Sequence, residues 1–142
     1  MTGNSAACPE CGAPAVAGLS CWEQLGALLA WEFDNPALQA EHFLTVAAYN
    51  LQHPAQFTDE ALAGLRAAFI ERLDRGVAVQ ELRRRAARRF EGETHVLREA
   101  AERRPVLRGW TMTIANVYTP EQPGGAADRV RAWAAAIRQE LD

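Results

Sequence analysis

Apolar residues recur at helical spacing along most of the chain. After Ser20, a good N-cap residue, Trp22, Leu25, Leu29 and Phe33 follow one another every three or four positions until Asp34-Asn35-Pro36 interrupts them, which predicts a first helix with those four side chains turned inward. A second helix is expected from Pro36, acceptable at a first helical position, to about Gln52, because His53-Pro54 breaks it. Leu38, Phe43, Leu44, Val46, Ala47, Ala48 and Leu51 surround this helix, and an element apolar on most sides belongs in the middle of a bundle.

Thr58 caps a third helix, with Asp59 and Glu60 in its first turn, Leu62, Leu65, Phe69 and Leu73 on one face, and Gly76 at its end. A fourth, from about Ala78 to Phe90, turns Val79, Leu82, Ala86 and Phe90 inward and Arg83, Arg84, Arg85, Arg88 and Arg89 mostly outward. A fifth is expected from Thr94 to Arg104, before Pro105. Residues 110 to 118 are β-branched and aromatic and fit either a strand, which would have no partner, or a short helix. After the Pro-Gly-Gly turn at 123 to 125, Asp128 is expected to cap a last helix with Val130, Trp133, Ile137 and Leu141 facing the core.

The pattern is all-α: a small helical bundle with an N-terminal zinc-knuckle loop. It reads as one domain over residues 1–142, with a metal-pinned loop at 1–19, a helical hairpin at 20–53 and the remaining helices at 58–142. A length of 142 residues with 49% hydrophobic and 23% charged positions suits one core and leaves little room for a second. There is no uninterrupted apolar run of membrane-spanning length, and residues 1 to 7 lack a basic start followed by an apolar stretch. The expectation is a cytoplasmic protein with no membrane association.

Charge adds two facts. All fifteen basic residues are arginine, so Schiff-base catalysis and a GxxxxGK phosphate loop are excluded. Residues 1 to 65 hold seven acids and no arginine, whereas residues 66 to 142 hold fifteen arginines and eleven acids, giving -7 against +4. Such asymmetry suits either a basic binding face or two halves with complementary potentials. The arginine run at 83 to 89 is placed to contact phosphates, but Glu81, Glu91 and Glu93 flank it without interleaved aromatics, which also suits a solvated helix face.

Cys8-Pro9-Glu10-Cys11-Gly12 carries the strongest chemical signal. Two thiolates two residues apart in a tight turn grip one metal ion, and the glycine relieves the turn. A disulfide competes, but the thiols of a cytosolic protein stay reduced. Only Cys21 remains, so a closed tetrahedral site needs a nitrogen or oxygen ligand. If the first two helices form an antiparallel hairpin about Asn35, the start of one lies beside the end of the other, making Cys21 and His53 neighbours. The expected ligands are therefore Cys8, Cys11, Cys21 and His53, with zinc as the ion. Alternatively His53 only caps the helix end and a water or carboxylate completes the site, Glu10 being poorly placed inside the knuckle.

His42, Tyr49 and His53 fall at i, i+7 and i+11, one stripe on an otherwise apolar helix. His42 lies about 16 Å before His53 at 1.5 Å per residue, too far to share an ion without a break in the helix. His42 and Tyr49 are the candidate catalytic residues of an open zinc site, with Glu32 or Glu41 orienting His42; a buried histidine satisfied by a carboxylate is the competing arrangement. His95 reads as a surface residue. No GxSxG elbow or HExxH pair occurs, and the deaminase order, H-x-E before P-C-x-x-C, is absent.

The segments CPECG (8–12), SCW (20–22), HFLTVAAYNLQHP (42–54) and WTMTIANV (110–117) together resemble an uncharacterised bacterial domain-of-unknown-function family with an N-terminal CPxCG knuckle and a YxxQHP signature. The resemblance implies a bacterial source. It groups Cys8, Cys11, Cys21, His42, Tyr49, Gln52 and His53 into one constellation and implies no activity. Members of that family often carry an acid where this chain has Ala47 or Ala48, a departure that counts against a catalytic stripe.

Three functions follow as expectations. The first is a small helical protein with a structural zinc, acting as a binding or regulatory module that could engage a protein partner. The second is a metal-dependent hydrolase using an open zinc position with His42 and Tyr49. The third is nucleic-acid binding through the arginine-rich helix.

Overall fold

The computed structural model describes residues 7–89 and 96–141. Six helices account for most of them: α1 (Cys21–Trp31), α2 (Pro36–Ala40), α3 (His42–Leu51), α4 (Asp59–Arg75), α5 (Val79–Arg89) and α6 (Ala126–Gln139). Among the described residues there is no strand, only two isolated bridges, Val16 with Leu19 and Phe57 with Leu97. No helix is long and apolar enough to cross a membrane among the described residues.

Local chemistry sets most boundaries. Ser20 opens α1 with a reciprocal capping box: its hydroxyl accepts from the Glu23 N–H, while the Glu23 carboxylate accepts from the Ser20 N–H. Asn35 caps α2 by accepting from Leu38, and Thr58 caps α4 by accepting from Ala61. Gly76 ends α4 in the left-handed region, at φ 64°, where a side chain would be strained. Thr113 and Asn116 form a second capping box around the 3-10 turn Ile114–Asn116, so the 110–118 segment is neither a strand nor an α-helix.

α3 lies at the centre, packed against α2, α4 and α6. Its Leu44, Ala47, Ala48 and Leu51 join Leu28, Leu38, Phe69, Ile114, Val130, Trp133 and Ile137 in one buried cluster. Trp133 is fully buried, and the expected inner face of the last helix (Val130, Trp133, Ile137, Leu141) is buried throughout. At about 25 cal/mol per Å² of apolar surface, a side chain of this size is among the larger contributors to the core.

Several expectations are corrected. The first helix buries Gln24, Leu25 and Leu28, not Trp22 and Phe33, which are 68% and 90% exposed. The second helix is two helices broken at Glu41, whose ψ of 15° leaves the helical region. Thr45 returns its hydroxyl to the Glu41 carbonyl at 3.2 Å, a back-bond that bends helices. Ala86 of α5 is exposed. Among the described residues, the expected fifth helix reduces to a 3-10 turn, Ala100–Glu102. Before that turn the chain pairs instead with the entry to α4: Thr58 N–H donates to the Val96 carbonyl at 2.9 Å, and Arg98 N–H to that of Gln56 at 2.9 Å. The last helix begins at Ala126 with Gly125 at its cap, so Asp128 sits in the first turn instead of capping it. Phe90, Thr94 and His95 lie outside the described residues.

Candidate metal centre

The N-terminal segment arrives at the bundle through a turn that sulfur itself organises. The Glu10 and Cys11 N–H groups both point to Cys8 Sγ at 3.4 Å, and the Ala13 N–H points to Cys11 Sγ at 3.4 Å. Gly12 supplies the φ of 81° that the turn requires, and its N–H returns to the Cys8 carbonyl at 3.0 Å. The Ala13 N–H favours the Cys11 thiolate, but the contact with Cys21 and burial outweigh it.

Two helix ends bring the other donors. Cys21 is the first residue of α1, fixed by the Ser20 cap, and His53 follows the end of α3, where Pro54 stops the helix. The imidazole Nδ1 lies 2.7 Å from the Tyr49 carbonyl. A carbonyl only accepts, so Nδ1 carries the proton and Nε2 is the nitrogen presented to the sulfurs. Nε2 stands 3.6 Å from Cys8 Sγ and 3.5 Å from Cys21 Sγ. Ligand atoms of Cys8, Cys11, Cys21 and His53 all lie within 4.8 Å of one another.

Those separations can be tested against a tetrahedral ion. Bonds of about 2.3 Å to sulfur and about 2.0 Å to nitrogen, opened to the tetrahedral angle, set a sulfur-to-nitrogen edge of about 3.5 Å. The two measured edges agree with it. The three cysteines are free, Cys11 buried and the other two half-buried.

Electrostatics within the group is that of one shared proton set. Hydrogen bonding with Cys11 holds the Cys21 thiol down to about 3, and the same contact together with burial pushes Cys11 well above its ordinary value. Burial alone would lower His53, but hydrogen bonds to Cys21, the Tyr49 carbonyl and Cys8 outweigh it and raise it to about 9. In the metal-free chain the imidazolium thus turns its Nε2 proton toward the sulfurs of Cys8 and Cys21. The four side chains are close enough together to hold one metal ion.

Tyr49 touches the centre without joining the four. Its hydroxyl is 3.5 Å from Cys21 Sγ and its ring stacks on His53 with centroids 4.0 Å apart. Burial first, then the Cys21 thiolate, push its phenol well up, so it serves as a hydrogen-bond donor. His42 stands elsewhere: its Nδ1 lies 3.0 Å from both Glu32 oxygens, at the other end of α3. Glu41 pairs with Arg131 at 2.8 Å instead. On α5, Arg84 and Arg85 pair with Glu81 at 2.6 and 3.1 Å, and Arg85 also reaches Glu71 at 3.5 Å.

Three supporting residues were missed in the sequence or given no role. Glu10 accepts the Ala55 N–H at 2.7 Å, tying the cysteine turn to the residues after His53. Gln24 donates its amide to the Pro14 and Leu19 carbonyls, both at 3.0 Å, and so holds the N-terminal segment independently of the cysteines. Its only sequence signal is a polar residue one turn before Leu28 on a buried face. Gln52 bridges the Met112 carbonyl and the Trp133 indole.

The chain matches the model of a family of unknown function, DUF5946, over residues 6–142, and belongs to that family. No curated protein and no solved structure matches it.

Proposed function

We propose that this member of the DUF5946 family is a zinc-binding helical module in which Cys8, Cys11, Cys21 and His53 close a structural site, and that it acts by engaging a protein partner rather than by catalysis. One observation carries the reading: an imidazole whose Nδ1 is committed to the Tyr49 carbonyl presents Nε2 to two thiols at the edge length of a tetrahedral ion. Three sulfurs and one nitrogen are a soft donor set, which suits Zn²⁺ and disfavours Mg²⁺ or Ca²⁺. Four protein ligands leave no open position for substrate or water, so the ion's contribution is folding free energy. It joins the N-terminal segment, the start of α1 and the end of α3 at one point. The reduced thiols this requires fit a reducing compartment such as a bacterial cytoplasm.

Protein purified without added chelator is expected to hold about one zinc per chain by plasma mass spectrometry. Cys11→Ser is expected to release the ion and lower the melting temperature. A metal-free wild-type protein of undiminished stability would overturn the reading.

A further inference from the structure

Beside the metal centre runs a segment without regular secondary structure, residues 103 to 109, whose exposure the core does not explain. Val106 and Leu107 are 73% and 64% exposed, and Trp22, at the start of α1, is 68% exposed. Trp22 and Pro105 share a shallow hollow of about 270 Å³ with Glu10, Tyr49, His53 and Arg103. The segment is joined to the cysteine turn: Arg108 N–H donates to the Glu10 carbonyl at 3.1 Å, and Leu107 Cδ1 comes within 3.5 Å of the position a Cβ on Gly12 would take.

The charges here differ from those on α5. Among the described residues, Arg103, Arg104 and Arg108 donate only to backbone carbonyls, of Arg98, Ala101, Arg103 and Glu140, and none pairs with a carboxylate. Arg108 also stacks over the Trp110 ring at 3.8 Å. The backbone N–H groups of Arg104, Val106 and Leu107 make no backbone hydrogen bond among the described residues. Three arginines with no carboxylate partner, bulky exposed apolar groups and N–H groups without a backbone partner thus lie along one stretch, which Arg103 enters in the extended conformation.

We propose that residues 103–108 and Trp22 form a docking surface for an extended acidic peptide that carries bulky apolar side chains. The occupant follows from complementarity. Unpaired backbone pairs with another extended backbone, alternate apolar side chains of the peptide cover Val106, Leu107 and Trp22, and its carboxylates meet the arginines. A nucleic acid would leave the aliphatic groups without partners. A membrane surface would offer no second backbone to the N–H groups of Arg104, Val106 and Leu107. The surface rests on the zinc reading to the extent that the cysteine turn anchors one side of it.

The test is to pan a random dodecapeptide display library against the zinc-loaded protein and titrate synthetic versions of the enriched peptides. The expected result is enrichment of sequences alternating Asp or Glu with bulky apolar residues. Their affinity should fall at least about tenfold from low to high salt. Arg104→Glu and Val106→Asp should each weaken binding about tenfold or more, with zinc content and melting temperature unchanged. Enrichment without acidic residues, no common pattern, or binding that survives both substitutions overturns the proposal. So does substitution-sensitive binding of oligothymidine or of phosphatidylserine vesicles in place of peptide. Zinc is measured in every sample, so a protein that binds peptide without metal contradicts only the metal reading, and one that holds metal without binding peptide contradicts only this surface.

Discussion

Trp133 donates its indole N–H to Gln52 Oε1 at 3.2 Å, and Gln52 sits immediately before His53 of the candidate metal centre. The same side chain gives its amide N–H to the Met112 carbonyl at 2.7 Å. One buried amide therefore fixes the end of α3 to α6 and to the 110–118 segment.

Gln52→Leu is expected to strip partners from two buried groups at once. Each unsatisfied group costs about 1–3 kcal/mol, so a loss of about 2–5 kcal/mol should appear in urea denaturation, while zinc content stays near one per chain. A loss below about 1 kcal/mol would show that neither bond matters to stability.

The Glu10 carboxylate is not one of the four ligands but clamps the cysteine turn to Ala55. Outer partners of this kind change metal affinity about 10- to 100-fold when removed. Competition with a chromophoric chelator should find Glu10→Ala at least about tenfold weaker for zinc, with Glu10→Gln between it and wild type. Equal affinities would show the clamp to be idle.

The metal-free protein should have a pH profile set by Cys21 and His53. Hydrogen bonding lowers Cys21 from 9.0 to about 3, and His53, despite burial, is raised from 6.5 to about 9. Between about 3 and 6.5 the folded pair holds one proton and the unfolded pair two, so stability rises with pH. From 6.5 to about 9 both states hold one proton and the pair contributes a plateau. Above 9.0 the unfolded chain gives up the Cys11 proton that the folded chain retains, and stability falls. Zinc displaces the His53 and Cys11 protons, so its apparent affinity should climb steadily from pH 6 to 9. Urea midpoints of chelator-treated protein check the profile; a decline from pH 4 to 6.5 would contradict it.

How far the sequence reveals all this depends on the range of the interaction. Ser20, Thr58 and Gly76 act within four residues of themselves, and the helix ends they imply are where they should be. The approach of Cys21 to His53, 3.5 Å between Sγ and Nε2, is what a hairpin about Asn35 leads one to expect. The break at Glu41 had only Thr45 to announce it, and the Glu41 carboxylate is drawn to Arg131, ninety residues away. Among the described residues, the expected fifth helix gives way to a contact of the same kind: Val96 and Arg98 hydrogen-bond to Thr58 and Gln56, and only the turn Ala100–Glu102 closes on itself. Trp22 looked like a core residue because spacing alone does not distinguish it from Gln24, whose amide has buried carbonyls to satisfy.

Hydrogen exchange with and without chelator should separate the metal's territory from the bundle's. Protection should fall first at residues 8–13, at 53–58 and at the Arg108 amide, all joined through the cysteine turn or His53. The α6 amides around Trp133 should hardly respond. Uniform loss along the chain would mean that the ion supports the whole core.

X-ray absorption at the zinc edge tests the central claim most directly. The expected first shell is three sulfurs at about 2.3 Å and one imidazole nitrogen at about 2.0 Å, with His53→Ala removing the imidazole scattering and leaving the sulfurs. A first shell with fewer than three sulfurs, or with an exchangeable oxygen in place of the His53 nitrogen, would contradict a closed structural site.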